Sequence, residues 1–310
     1  MAEAFYWFLN MNIVASLCGL VILLLRRVRR IPRRLICWLW LIPALRVLLP
    51  FGVGGRWGQF GLVGLLNRVW GRSARITGLP GAVVTNYIQT ASSYDPLKFA
   101  EPGQYRVFAW GGLIWIVLAC ALLLTFGILY GITLRELKDA RPLEGRRGVF
   151  LSEKVTGPAL YGIVRPRIVL PEGEEDSPQL EHILLHEEIH RKRLDNLRRV
   201  TVFALAALCW FDPLAWLFLK CFLADLELAC DEQVLARLGE EKKKEYAMAL
   251  VSEEERKSLF ASAFGGAAIR VRVERILSWK RMSLLACLAL SVFAAALTWF
   301  LLIDPAGGVR

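Results

Sequence analysis

The chain has 310 residues, of which 55% are hydrophobic, and its 39 Lys and Arg against 28 Asp and Glu give a formal net charge of +11. Soluble domains average roughly 45–50% apolar residues, so this balance, with a mean hydropathy of +0.43, excludes a typical soluble enzyme and points to a membrane. The seven cysteines are scattered without a C-x-x-C pair, which argues against a disulfide framework or a zinc ribbon and suits small buried residues.

From the N-terminus, Phe5 to Leu25 is the first of four stretches long and apolar enough to span about 30 Å of hydrocarbon. Glu3 precedes it and the basic cluster follows it, which fits a retained anchor rather than a signal peptide. Arg26, Arg27, Arg29, Arg30, Arg33 and Arg34 crowd the next loop, and the positive-inside rule places them in the cytoplasm. The second span is expected over Leu35 to Val53, although it contains Arg46 and two prolines. Residues 54–106 then form an external loop, rich in turns and without a catalytic constellation. Val107 to Ile132 is the third span, and Met282 to Ile303 the fourth.

Residues 1–133 are therefore expected to hold three transmembrane helices, 134–281 a cytoplasmic domain, and 282–310 the last helix with a short external tail. The N-terminus lies outside in this scheme. The basic residues of the large loop suit a segment near anionic lipid, so membrane lipid is an expected partner.

After the third span, Gly157 to Pro171 reads as short extended segments broken by Gly and Pro. Arg165, Pro166, Arg167 and Ile168 are expected at a sheet edge, where an extended substrate backbone could pair, and a purely structural hairpin fits as well.

All three histidines fall in His182-Ile-Leu-Leu-His186-Glu187-Glu188-Ile-His190, whose last five residues spell H-E-x-x-H. One helical turn brings imidazoles at i and i+4 within about 5–6 Å and aims them at one point, where they can hold zinc with the glutamate between them as general base. The same letters can arise by chance in a charged helix, so a third ligand decides. Glu227 supplies one, and Asp231, a turn further on, can orient a histidine from behind. Cys230 lies only slightly off that face and reads as a small buried residue, while His182 is surplus to a complete catalytic set.

Between these groups runs the apolar stretch Val200 to Phe222. As one straight helix it would run roughly 34 Å and carry Glu227 across the bilayer from the histidines. Trp210-Phe-Asp212-Pro213 interrupts it, so a helical hairpin that dips into the membrane and returns is expected. Beyond Glu227, the linker with Ser258, Leu259, Phe260, Ala263 and Phe264 combines small residues with apolar anchors and is expected to be an exposed loop open to self-cleavage.

The order Gly157-Pro158, Arg165-Pro166, Leu170-Pro171, His186-Glu187-x-x-His190 with Asp195-Asn196, Trp210-Phe-Asp212-Pro213 and Glu227-Leu-Ala-Cys230-Asp231-Glu232 resembles the membrane metallopeptidases of the bacterial beta-lactam-sensing antirepressors. The resemblance implies a four-span membrane protein with a cytoplasm-facing gluzincin-like α+β zinc protease domain. In it His186, His190 and Glu227 hold Zn2+, Glu187 is the base and Asp231 supports them. It also implies autoproteolysis and inactivation of a DNA-bound repressor, with no nucleic acid bound by the peptidase itself. Those sensors carry an external penicillin-binding domain after the fourth span, whereas this sequence ends at Arg310, so a separate sensor or a homodimer is expected.

The expected function is thus a zinc endopeptidase of the bacterial cytoplasmic membrane, acting in signal transduction on itself or on a cytoplasmic regulator. A quality-control membrane protease shares H-E-x-x-H and E-x-x-x-D, and a receptor or scaffold with a structural metal is the non-enzymatic alternative. Glu187 argues against the latter, since a structural site needs no base.

Overall fold

In the computed structural model, residues 1–48, 53–55, 102–256, 259–280 and 283–305 are described, so most of the expected external loop lies outside them. Three helices among the described residues are long and apolar enough to cross a membrane. They are α1 (Ala2–Arg26), α4 (Pro102–Glu136) and α10 (Leu284–Leu302). Many large apolar side chains of α4 and α10, such as Leu124, Ile128, Leu285 and Val292, face outward, as contact with lipid requires.

The second expected span departs from a continuous helix. It is divided into α2 (Arg33–Leu39) and α3 (Leu41–Leu48), together about 24 Å at 1.5 Å per residue, short of a full crossing. Pro43 explains the break, because it has no N–H to return to the carbonyl of Leu39. Arg46 is buried rather than exposed to lipid, and its Nε and Nη2 donate to Leu301 O at 3.1 and 2.9 Å. It thereby satisfies a carbonyl that the last turn of α10 leaves without a helical partner.

After β1 (Val53–Gly55) and α4, the chain forms a sheet of β2 (Arg141–Pro142), β3 (Val149–Ser152), β4 (Ala159–Tyr161) and β5 (Arg167–Pro171) in the order β2-β3-β5-β4. β5 runs parallel to β3 and antiparallel to β4. The edge expected around Arg165 to Ile168 is therefore corrected: Arg165 and Pro166 lie in the bend before β5, and Arg167 and Ile168 lie in a strand paired on both sides. The strands at the sheet edges are β2 and β4. Ile168, Val169 and Leu170 are all buried, as a central strand requires, and Ile168 and Leu170 pack with Ile183 and Leu184 of α5 (Leu180–Arg193).

The expected hairpin is present as α6 (Asp195–Leu208) and α7 (Pro213–Leu238), with the chain reversing between them. Pro213 opens α7 at a position where a missing N–H costs nothing, and Asp212 Oδ1 accepts from Leu214 N at 2.8 Å as its cap. Asp212 Oδ2 accepts from Asn12 Nδ2 (2.9 Å) and Ser16 Oγ (2.7 Å) of α1. Trp115 of α4 donates to Leu208 O at 2.7 Å. The charge in the apolar turn is thus fully hydrogen-bonded, and the turn is tied to α1 and α4.

α7 returns through an apolar core in which Phe222, Leu226 and Ala229 meet Val14, Cys18, Ile22, Ile36 and Trp40. On that face Asp225, completely buried, accepts from Arg26 Nε (2.6 Å), Arg33 Nη1 (3.1 Å) and Trp40 Nε1 (3.0 Å). Two turns on, Glu232 accepts from the backbone N–H of Arg33 and Arg34 at the start of α2. The basic loop is therefore stapled to α7.

α8 (Lys243–Arg256) and α9 (Leu259–Ser278) pack back on α5 and α7 around Ile189, Val234, Leu250 and Ile276. The extended linker expected over residues 258–264 is corrected in part: Leu259, Phe260, Ala263 and Phe264 are in α9, while Ser258 lies outside the described residues. Four alanines between 261 and 268 favour helix strongly enough to carry it through Gly265 and Gly266.

Candidate metal centre

α5 and α7 bring the predicted donors together. His190 Nε2 lies 3.1 Å from His186 Nε2, and Glu227 Oε2 lies 3.6 and 3.7 Å from these two nitrogens. His182, a turn earlier, stays apart and faces Glu245 at 3.9 Å. Cys230, read from sequence as a packing residue, comes closer than expected. Its Sγ and one nitrogen of each histidine lie within 4.8 Å of one another, and the thiol donates to His186 O at 3.5 Å.

The other ring nitrogens fix the tautomers. His190 Nδ1 lies 2.7 Å from Asp195 Oδ2, and a carboxylate only accepts, so Nδ1 carries the proton. His186 Nδ1 lies 2.8 Å from the Tyr246 hydroxyl, which itself donates to Asp231 Oδ1 at 2.7 Å. Nδ1 is then the donor there too. Both Nε2 lone pairs consequently face one another and a carboxylate oxygen, an arrangement that calls for a cation.

Asp195 reaches His190 because α5 ends at Leu194 in the left-handed conformation (φ 55°), the single non-glycine residue with positive φ among the described residues. Asp231 supports His186 chiefly through Tyr246, its direct approach being 3.5 Å. Behind it, Arg272 of α9 donates from Nε to Asp231 Oδ2 and from Nη2 to Oδ1, both at 2.8 Å. Glu227 is held from the other side, where Arg199 Nη2 donates to Oε1 at 2.6 Å. Arg199 also donates to Asn196 Oδ1, and Asn196 Nδ2 donates to Leu160 O (2.7 Å) on the edge strand β4 and to Gly162 O (3.0 Å) just after it.

The electrostatics follow. A proton can serve as that cation: burial opposes charge on His186, but the Cys230 sulfur and the Glu227 carboxylate outweigh it and raise its pKa to about 10, so a metal at Nε2 has to displace that proton. Desolvation likewise works against Glu227, yet the two imidazoles and Arg272 hold its carboxyl well below the usual range. Glu187 is buried, and that burial raises its pKa while the charges of the two histidines pull it back. Tyr161 of β4 feels the Glu187 charge, which with burial raises its phenol pKa.

Of the residues picked out by spacing, the fold brings His186, His190, Glu227 and Asp231 together; spacing gave no sign of Tyr246, Arg272 or Arg199. Asp195 had entered only as part of a motif. Tyr246 and Arg272 stand 60 and 86 residues from His186, and no local periodicity links them to it.

The family described as BlaR1 peptidase M56 matches residues 6–276 of this chain. A similar protein is the regulatory protein BlaR1 of Bacillus licheniformis, 34% identical over 89 residues, a match that covers 28% of this chain and 15% of that relative's length.

Proposed function

The chain belongs to the BlaR1 peptidase M56 family, and from that premise we propose that it is a membrane-embedded zinc endopeptidase in signal transduction, cleaving a cytoplasmic regulatory protein, itself, or both. The observation that carries the reading is the convergence of His186 Nε2, His190 Nε2 and Glu227 Oε2 at 3.1–3.7 Å. Those separations are close to the edge of about 3.3 Å expected for a tetrahedral site with bonds of ~2.0–2.1 Å. The donor set thus fits zinc with the fourth position open. Cys230 is the competing donor: desolvation opposes charge on it, but the two histidines outweigh that and lower its pKa, whereas its hydrogen bond to His186 O, which it makes only as a thiol, favours Glu227 as the ligand.

Zinc, when bound, supplies Lewis acidity for polarising a peptide carbonyl. The rest belongs to the chain. Glu187 takes the proton of the attacking water and passes it to the leaving amine, and its burial keeps its basicity above that of an ordinary carboxylate. Asp195 and Tyr246 hold the imidazoles with Nε2 free. We assign substrate docking to the edge strand β4, which Asn196 pins and whose Tyr161 feels the charge of Glu187. Self-cleavage near residues 258–264 then requires the start of α9 to unwind.

The test pairs zinc content with cleavage on the same detergent-purified samples. Glu187→Gln keeps one zinc and loses cleavage, Glu227→Gln loses zinc, and Cys230→Ser keeps both. Zinc retained by Glu227→Gln but lost by Cys230→Ser would transfer the third ligand to the cysteine.

A further inference from the structure

Resting on the zinc reading above, we propose that Arg272 is a positioning residue for the metal centre: it fixes Asp231, and through Tyr246 the tautomer and tilt of His186, so that zinc retention depends on a helix that carries no ligand.

Arg272 lies on α9, whereas every candidate ligand is on α5 or α7. Its side-on pair with Asp231 uses both carboxylate oxygens, each at 2.8 Å. Both side chains are largely out of solvent, at 17% and 3% exposure. Such a fork fixes the plane of the carboxylate, which a single point contact would not. Asp231 Oδ1 also accepts from the Tyr246 hydroxyl, and that hydroxyl is left to accept from His186 Nδ1. Four side chains from four helices thus form one directed chain ending at a lone pair in the site. The remaining nitrogen, Nη1, is 3.6 Å from Glu227 Oε2, too far for a hydrogen bond, so the guanidinium leaves that oxygen free.

Two opposed effects make the sign of the outcome informative. A guanidinium with its Nη2 3.5 Å from His186 Nε2 repels a dication, so deleting its charge would tighten zinc if electrostatics dominated. Losing it also leaves a buried Asp231 uncompensated, free to turn or to take a proton, and the orientation of His186 goes with it. Partners that orient a metal-bound histidine are typically worth 10–100-fold in affinity. Positioning therefore wins.

The experiment uses the full-length Glu187→Gln protein in detergent, which holds zinc without cleaving, and titrates zinc against a chromogenic chelator. Arg272→Gln is expected to weaken zinc 10–100-fold, and Arg272→Lys, which offers a point charge without the fork, to fall between it and the parent. Tyr246→Phe should weaken zinc as well, and its combination with either Arg272 variant should cost less than the product of the two losses, because they act through one chain. If Arg272→Gln does not stay monodisperse, the Arg272→Lys cycle carries the same comparison. Unchanged or tighter zinc in an Arg272 variant, or losses that simply multiply with Tyr246→Phe, overturns the proposal while leaving the zinc reading intact. A parent that holds no zinc overturns both.

Discussion

Asp195 Oδ2 lies 2.7 Å from His190 Nδ1 although one helix ends and another begins between them. The left-handed turn at Leu194 makes this contact possible, and the contact decides which nitrogen of His190 faces the site. Asp195→Asn can instead present its amide N–H to Nδ1, which moves the ring proton to Nε2. Zinc affinity should drop about 10–100-fold, read by chelator competition, with little loss of helicity by circular dichroism. Unchanged affinity would remove Asp195 from the site.

The hairpin turn should depend on Asp212. Asp212→Ala removes the cap of α7 and two hydrogen bonds to α1, and loss of the cap alone typically costs about 0.5–2 kcal/mol. A lower melting temperature in detergent is expected, with further loss when Asn12→Ala is added being smaller than additive.

If α6 and α7 leave and return to one side, cysteines placed at exposed Leu197 and at Glu240, in a chain cleared of native thiols, should react equally with an impermeant reagent from the same face of an oriented vesicle. Labelling from opposite faces would contradict a shared ligand set.

Asp225→Ala leaves Arg26 and Arg33 without their common carboxylate in a buried setting. Breaking a buried pair of this kind costs about 3–5 kcal/mol. The loss should appear as a large fall in thermal stability, and Asp225→Asn should recover part of it by accepting from Trp40.

Self-cleavage that needs α9 to unwind should be slowed by stiffening the helix. Gly265→Ala and Gly266→Ala each favour helix by about 0.5–1 kcal/mol, so each should slow appearance of the small fragment about 2–5-fold. N-terminal sequencing of that fragment locates the cut. Acceleration by either substitution would argue against unwinding as the limiting step.

Much of the site was legible because its ligands obey helical spacing: His186 and His190 are a turn apart, as are Glu227 and Asp231. The hairpin could be read from Trp210 to Pro213 because a charge and a missing donor cannot both continue an apolar helix. Other parts were hidden for physical reasons. β5 was mistaken for an edge because only the parallel pairing of β3 makes it central, and alternation within Arg167 to Pro171 carries no trace of a partner 19 residues earlier. The arginines of the first loop read as a topology signal, yet Arg26 and Arg33 are also structural, since Asp225 lies 199 and 192 residues away. Tyr246 and Arg272 escaped for the same reason, being ordinary residues until the folded chain set one against each ring nitrogen of His186.

α7 is a single helix of 26 residues from the Asp212 cap in the apolar turn to Leu238. A stiff rod of that kind moves as a lever about the end that Asn12 and Ser16 grip, and the Asp225 contacts oblige Arg26, Arg33 and Trp40 to move with it. Glu227 sits about 22 Å along it, so a tilt of only about 3° would carry the carboxylate roughly 1 Å. That distance is enough to open or close a metal site, and a disturbance within the membrane could reach the chemistry without any loop having to refold.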